Sequence, residues 1–378
     1  MPLPEYGLAA TLLIVASLVE MFTQFGQSVL IVADREGDGE AALARYHGFN
    51  LLRGLIGAGG LALGALALAP VSQTPLYLAL ALVPAFGAVQ HFAQFQRQRQ
   101  GRTGVAVLVP MVSALVSLLT LVVIGKIMPD ARAFLIALIA QAGAAFFLSH
   151  IFAGTPYRVT FRAADLARQF GHGLPLLING GLLYLILFGE RIIVGHTLGL
   201  EALGVFAMGV TLTLTPSILM SKSLMTTWLP RLSRNGLDDN RVKVLSAHVL
   251  MAVGLAAGLA LAGPLFVALA LPTSFAALVA LIPLMAAQQS LRLAKGAQAV
   301  IGIAGGHAGD EIGVSLIRIA ALPLAYFAAL NGQGLSGIVM AGLAGECAAL
   351  VVAMALIVWR SRYGAASMTP LLSSGESS

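Results

Sequence analysis

Nine ionisable residues lie inside apolar stretches of this sequence: Glu20, Arg53, Glu190, Arg191, Lys222, Arg292, Lys295, Arg318 and Glu346. An ionisable side chain in an apolar span costs roughly 2.5–3.5 kcal/mol on insertion scales, so each needs a partner, a wet cavity or an escape to the interface. Arg53, Lys222, Arg292, Lys295 and Arg318 form a cationic set suited to holding an anion. Arginine grips oxyanions bidentately, and lysine acts as a point charge. For Arg53, Lys222 and Lys295 a second reading stands beside this one: the stem lies along apolar surface while the head reaches water. Glu20, Gln24 and Gln27 follow at i, i+4 and i+7 and share one helix face. Such a stripe either lines a cavity, binding hydroxyls or taking up H⁺ or Na⁺, or forms a hydrogen-bonded helix seam worth about 0.6 kcal/mol per bond. Glu190 and Arg191 are adjacent and point in different directions, as expected for a gate or for an ion pair to another helix. Glu346 has Arg318 as a candidate neighbour.

Other chemistry is scarce. One cysteine, Cys347, excludes an internal disulfide and a multi-cysteine metal site. The seven histidines are scattered, with no i,i+4 pair, so no metal site and no cofactor are expected. No phosphate-binding GxxxxGK[ST] loop is present. Asp238-Asp239 and Asp310-Glu311 read as solvated loop pairs, which argues against a Mg²⁺-dependent diphosphate enzyme. Gln90, His91 and Gln94 read as anchors near a membrane interface.

The elements that must position these residues are membrane helices. The chain is 58% hydrophobic and 10% charged, far below the quarter charged that a soluble domain carries. Eleven apolar runs of spanning length fall near 7–31, 47–69, 75–96, 104–125, 133–153, 174–195, 203–227, 244–269, 274–304, 311–329 and 336–359. The run at 274–304 is long and polar, and Pro283 is a candidate kink. Alternating the connectors places fourteen of the 22 Lys and Arg on the inner side and two, Lys126 and Arg132, on the outer side. The formal charge of +6 is thus a topology signal, and no nucleic-acid partner is expected. The basic connector 155–172 reads either as an amphipathic helix on the cytoplasmic surface or as an ordinary inner loop. It divides a five-helix half (1–154) from a six-helix half (173–360), followed by a disordered tail (361–378). The fold class is an all-α polytopic membrane protein of about 11 helices, in two pseudo-repeated halves around a central cavity.

The two halves echo each other. Leu3-Pro4-Glu5-Tyr6-Gly7-Leu8 and Leu200-Glu201-Ala202-Leu203-Gly204-Val205 each lead from a short turn through glycine into a span. The stretch from Gly173-Leu-Pro-Leu-Leu-Ile-Asn179 through Leu187-Phe-Gly-Glu190-Arg191 to Gly199-Leu-Glu-Ala-Leu-Gly204 resembles the second half of an oligosaccharide-lipid flippase. Trp228-Leu-Pro-Arg-Leu-Ser233 resembles that family's inner loop. The family belongs to the multidrug/oligosaccharidyl-lipid/polysaccharide exporter superfamily. The resemblance implies no enzyme, but flipping of a polyprenyl-pyrophosphate-linked oligosaccharide across the bacterial inner membrane by alternating access. It also implies an H⁺ or Na⁺ coupling ion, membrane lipids as surroundings and a cytoplasmic C-terminus. The cationic set is then suited to the pyrophosphate, and Glu20, Gln24, Gln27, Glu190, Arg191 and Glu346 to cavity or coupling roles. The family pattern has twelve helices, and its post-helix-one turn starts here at residue 3, so the first helix is expected to be missing. A drug or small-metabolite exporter on the same fold, a membrane-embedded glycosyl or prenyl transferase, and a non-transporting paralogue are the alternatives.

Overall fold

The computed structural model describes residues 2–24, 31, 39–100, 102–235, 240–305, 307 and 309–363. Gln27, Arg35, Asp238-Asp239 and the tail after residue 363 lie outside the described residues, as does the side chain of Gln24. The secondary structure is helical throughout, with no strand among the described residues. The chain divides into two compact units, Met1–Phe188 and Gly189–Ser378.

Unit 1 holds α1 (Leu3–Gln24), α2 (Glu40–Leu68), α3 (Thr74–Leu80), α4 (Leu82–Ala88), α5 (Ala93–Arg99), α6 (Gly104–Ile127), α7 (Ala131–Ile151) and most of α8 (Ala163–Thr197). α6 and α7 pair as a hairpin, while α1 and α4 each pack on both α2 and α7. The hairpin turn is tied to α1, because the backbone N–H of Ala131 donates to the Glu5 carboxylate at 2.9 Å. One arm of the internal echo thereby caps a neighbouring helix.

Unit 2 takes the end of α8 and then α9 (Gly199–Asn235), α10 (Arg241–Ala270), α11 (Leu278–Ala304), α12 (Asp310–Ile319), α13 (Ala321–Leu330) and α14 (Gly334–Tyr363). Helix α11 packs on α9, α10 and α14, and α14 also packs on α12 and α13.

Nine described helices are long and apolar enough to cross a membrane, and the bent pair Thr74–Ala88 and Ala93–Arg99 makes a tenth. Large side chains such as Leu63, Leu250, Leu261 and Leu269 are exposed, as lipid-facing residues must be. The remaining expected run, 274–304, corresponds to α11. This helix has spanning length but carries Gln288, Gln289, Arg292, Lys295 and Gln298, and all of these but Arg292 are buried. It is the polar core of unit 2. Its helix runs unbroken through Pro283, and the start of the 274–304 run is a 3₁₀ turn, Thr273–Phe275. Proline breaks two other spans. Pro84 and Pro323 lack an N–H, and their rings crowd the carbonyls of Leu80 and Ile319, where α3 and α12 end.

The basic connector is not one element. Residues 154–162 carry no helix, and α8 then runs without interruption from 163 to 197. Of the two readings of 155–172, a loop describes 154–162, an extended strap, and a helix describes the residues from 163 on, where the long α8 begins. Hydrogen bonding explains the extension: the Thr160 N–H is taken by the Ala44 carbonyl at 3.0 Å, outside any helix. The compact units part at 188/189, later in the chain than the connector.

Candidate functional site

In unit 2 the ionisable residues converge. Glu346 on α14 is 0% exposed and Arg318 on α12 is 1% exposed, so both charges are removed from solvent. The Glu346 carboxylate accepts from Arg292 Nε at 2.9 Å and from Arg318 Nε at 2.9 Å. Lys295 Nζ stands 3.6 Å from its second oxygen. The other arm of Arg318 pairs with Glu190 on α8, which also accepts from Gln288 Nε2 at 2.8 Å. Arg292 donates further to Gln289 Oε1 at 3.1 Å. Three cations thus share two carboxylates drawn from α8, α11, α12 and α14.

Glycines allow this closeness. A Cβ on Gly342 would run into the Glu190 carboxylate and the Gln288 amide, and one on Gly345 would meet Ala321. Helix α14 can therefore lie directly against the network only because these positions have no side chain.

The network has a sixth ionisable member, Glu311 in the first turn of α12. It feels the charges of Lys295 and Glu346, and its Oε2 is buried without a hydrogen-bond partner. Its neighbour Asp310 pairs with Arg360 through two bonds of 3.0 and 3.2 Å. The Asp310-Glu311 pair is therefore not a solvated loop. Both residues open a helix that faces other charges, a contact between distant segments that no local pattern reports.

Unit 1 holds its polar groups differently. A cavity of about 520 Å³ is lined by Glu20, Asn50, Arg53, Gln90, Gln94 and Gln141 among apolar wall residues. Gly54 lets α2 approach the end of α4, since a Cβ there would strike Ala88. Asn50, one turn earlier, donates to the free carbonyls of Gly87 at 2.8 Å and Ala88 at 2.9 Å, capping the broken span. The amide oxygen of Asn50 accepts from one terminal nitrogen of Arg53. Arg53 Nε and its other terminal nitrogen are buried and have no hydrogen-bond partner, and Gln94 Oε1 is in the same condition.

The expected site residues thus separate into three groups. Glu190, Arg292, Lys295, Arg318 and Glu346 come together in unit 2, and Arg191 is buried on α8. Glu20 and Arg53 share the unit 1 cavity. Lys222 stands on an exposed face of α9 and joins neither group. Lys295 does not reach for water, because it is buried beside Glu346. Gln90, His91 and Gln94, expected as interfacial anchors, are turned inward. The break at 89–92 turns both glutamines toward the cavity and buries His91.

Residues 3–280 match the family model described as polysaccharide biosynthesis protein. No curated protein matches the sequence. Among solved structures, the lipid II flippase MurJ in an inward closed conformation aligns with a TM-score of 0.73 at 12% identity, over 94% of this chain and 80% of that one. An inward-facing multidrug resistance MATE family transporter of the MOP superfamily aligns with a TM-score of 0.67 at 14% identity, over 97% and 92%. A MOP superfamily transporter from Pyrococcus furiosus aligns at 0.57 and 14%, over 95% and 86%. The fold is that of these multi-pass membrane transporters, whereas the residues are largely different.

Proposed function

Since this chain belongs to the polysaccharide biosynthesis protein family, we propose that it flips a lipid-linked oligosaccharide across the bacterial inner membrane by alternating access. The substrate is an oligosaccharide on a polyprenyl pyrophosphate. The observation that carries the reading is Arg53: a guanidinium in a polar cavity with two buried donor groups uncommitted. A diphosphate supplies the acceptors these donors lack. The surrounding amides of Asn50, Gln94 and Gln141 suit sugar hydroxyls.

The unit 2 cations are placed less well for a substrate. Arg292, Lys295 and Arg318 already face Glu346, and a substrate anion there competes with a fixed carboxylate. Their role in this reading is to hold α8, α11, α12 and α14 together. Glu20, in the same cavity as Arg53, is the acidic group placed to respond to a coupling H⁺ or Na⁺. The fourteen inner-side cations, twelve in connectors and two in the tail, favour a cytoplasmic C-terminus.

Deleting the gene and complementing it with wild type, Arg53→Ala and Arg53→Lys tests this. Surface polysaccharide and lipid-linked oligosaccharide of the inner leaflet are measured together. Wild type restores the surface polymer, Arg53→Ala leaves the precursor trapped, and Arg53→Lys restores part. Full rescue by Arg53→Ala contradicts the assignment. A deletion strain with normal polymer, no trapped precursor and altered drug sensitivity points instead to small-molecule export on the same fold.

A further inference from the structure

Three histidines far apart in sequence meet at one end of unit 1. The His47 and His91 rings are 4.5 Å apart and nearly perpendicular, and the His150 ring is 5.5 Å from His91. Tyr157, from the strap 154–162, stacks on His47 at 4.3 Å. Burial pushes the Tyr157 phenol up to about 12, so it stays neutral. Gly48 lies under the strap, where a Cβ would strike the Thr160 carbonyl.

Hydrogen-bond partners assign both tautomers. His47 Nε2 faces the Phe92 N–H at 3.1 Å, so it accepts, and Nδ1 donates to the Arg158 carbonyl at 3.0 Å. His91 Nδ1 faces the Ala93 N–H at 3.1 Å and accepts, and Nε2 donates to the Thr155 carbonyl at 3.1 Å. Each neutral imidazole therefore bridges backbone at the break of the bent span to backbone of the strap. Both ring nitrogens of each are engaged, which leaves neither ring free to bind a metal.

A proton added to either ring sets an N–H against an N–H and removes one bond. The ionisable groups that act on the two rings are each other, His150 and the Arg97 guanidinium. Arg97 is itself held by the carbonyls of Phe152 at 2.7 Å and Ala153 at 2.8 Å. The Glu40 carboxylate, at the start of α2, is engaged by Arg158 at 3.1 Å. The surroundings of the rings are thus neutral or cationic and do not favour a second positive charge.

We infer that His47 and His91 form a proton-sensitive latch, which holds residues 155–160 on the broken span while both rings are neutral and releases them when either ring is protonated. The strap leads directly into α8, whose first turns are tied to α2 by Arg45–Asp165 at 3.9 Å and by Gln169 donating to the Arg45 carbonyl at 3.1 Å. Releasing the strap loosens this joint. The sign follows from the tautomers: the latch is intact at neutral pH and weakens on acidification.

The full-length protein in lipid nanodiscs tests this by two measurements, from about pH 8 down to about pH 3.5, a range wider than the ordinary histidine window so that buried rings are also reached. Ring ¹⁵N shifts report which histidines are neutral. Hydrogen exchange, corrected for its intrinsic pH dependence, reports protection of residues 155–162. The expected result is roughly a tenfold or greater loss of strap protection in step with ring protonation, the worth of one or two hydrogen bonds, while α6 and α7 peptides stay protected. His47→Phe keeps a ring for Tyr157 but has no nitrogen, and is expected to leave the strap unprotected at every pH. If that variant misfolds, the wild-type titration decides alone. Rings that titrate under a strap that stays protected overturn the latch. A strap protected to the lowest pH with both rings neutral overturns it equally, since the clip is then fixed.

Discussion

Unit 1 and unit 2 both bury charge beneath an apolar surface, and they satisfy it in opposite ways. In unit 2 Arg292, Lys295 and Arg318 each face a carboxylate and glycines bring the helices into contact, although one terminal nitrogen of Arg318 is buried without a hydrogen-bond partner. In unit 1 the guanidinium of Arg53 lines an open cavity with donors left over. A buried ion pair is weak evidence for stability, but removing one partner strands the other and is costly. A buried donor without an acceptor is costly as it stands, and it persists where a ligand or water completes it. Under the proposed function, the contrast separates arginines that hold helices together from an arginine that binds the substrate.

That contrast can be broken most easily in unit 2. Arg318→Ala leaves Glu190 and Glu346 facing each other with less compensation, and is expected to cost about 3–5 kcal/mol, read as a lower Tm in detergent. A loss below about 1 kcal/mol would show that Glu346 takes its compensation from Arg292 and Lys295 alone. Arg53→Ala is expected to leave stability within about 1 kcal/mol while transport falls about 10- to 100-fold, the worth of a charged hydrogen bond. Gly342→Ala pushes α14 off the Glu190–Gln288 pair and is expected to cost about 1–3 kcal/mol, checked by thermal unfolding. Lys222→Ala sharpens the comparison from the other side. The residue is exposed and outside both groups, so stability is expected to stay within about 0.5 kcal/mol and complementation at wild-type level.

Much of the architecture is legible in sequence because spanning length and apolarity are local properties. The hairpin α6–α7 and the long helices α10 and α14 follow from their runs. The polarity of 274–304 marked α11 as unlike the others, and the structure makes it the interior helix of unit 2. Which polar residues meet is not local. Glu190, Arg318 and Glu346 come from three segments; the sequence offers Arg318 as a candidate neighbour of Glu346 but no pattern in it shows the contact. Glu311 and the His47–His91–Tyr157 cluster were missed because their partners lie distant in sequence and carry no shared spacing. The interleaved apolar and basic residues of 155–172 are compatible with a surface helix and with an ordinary inner loop. Non-local hydrogen bonds to Ala44, His47 and His91 override that periodicity in the strap.

Binding of a short-chain polyprenyl diphosphate to purified protein tests the central claim most directly. Ligand-induced stabilisation is compared for wild type, Arg53→Ala and Arg292→Ala, each referred to its own ligand-free Tm. The account predicts stabilisation of wild type and Arg292→Ala and none of Arg53→Ala. Stabilisation of Arg53→Ala equal to wild type, together with its loss in Arg292→Ala, would contradict it and move the anion site to unit 2.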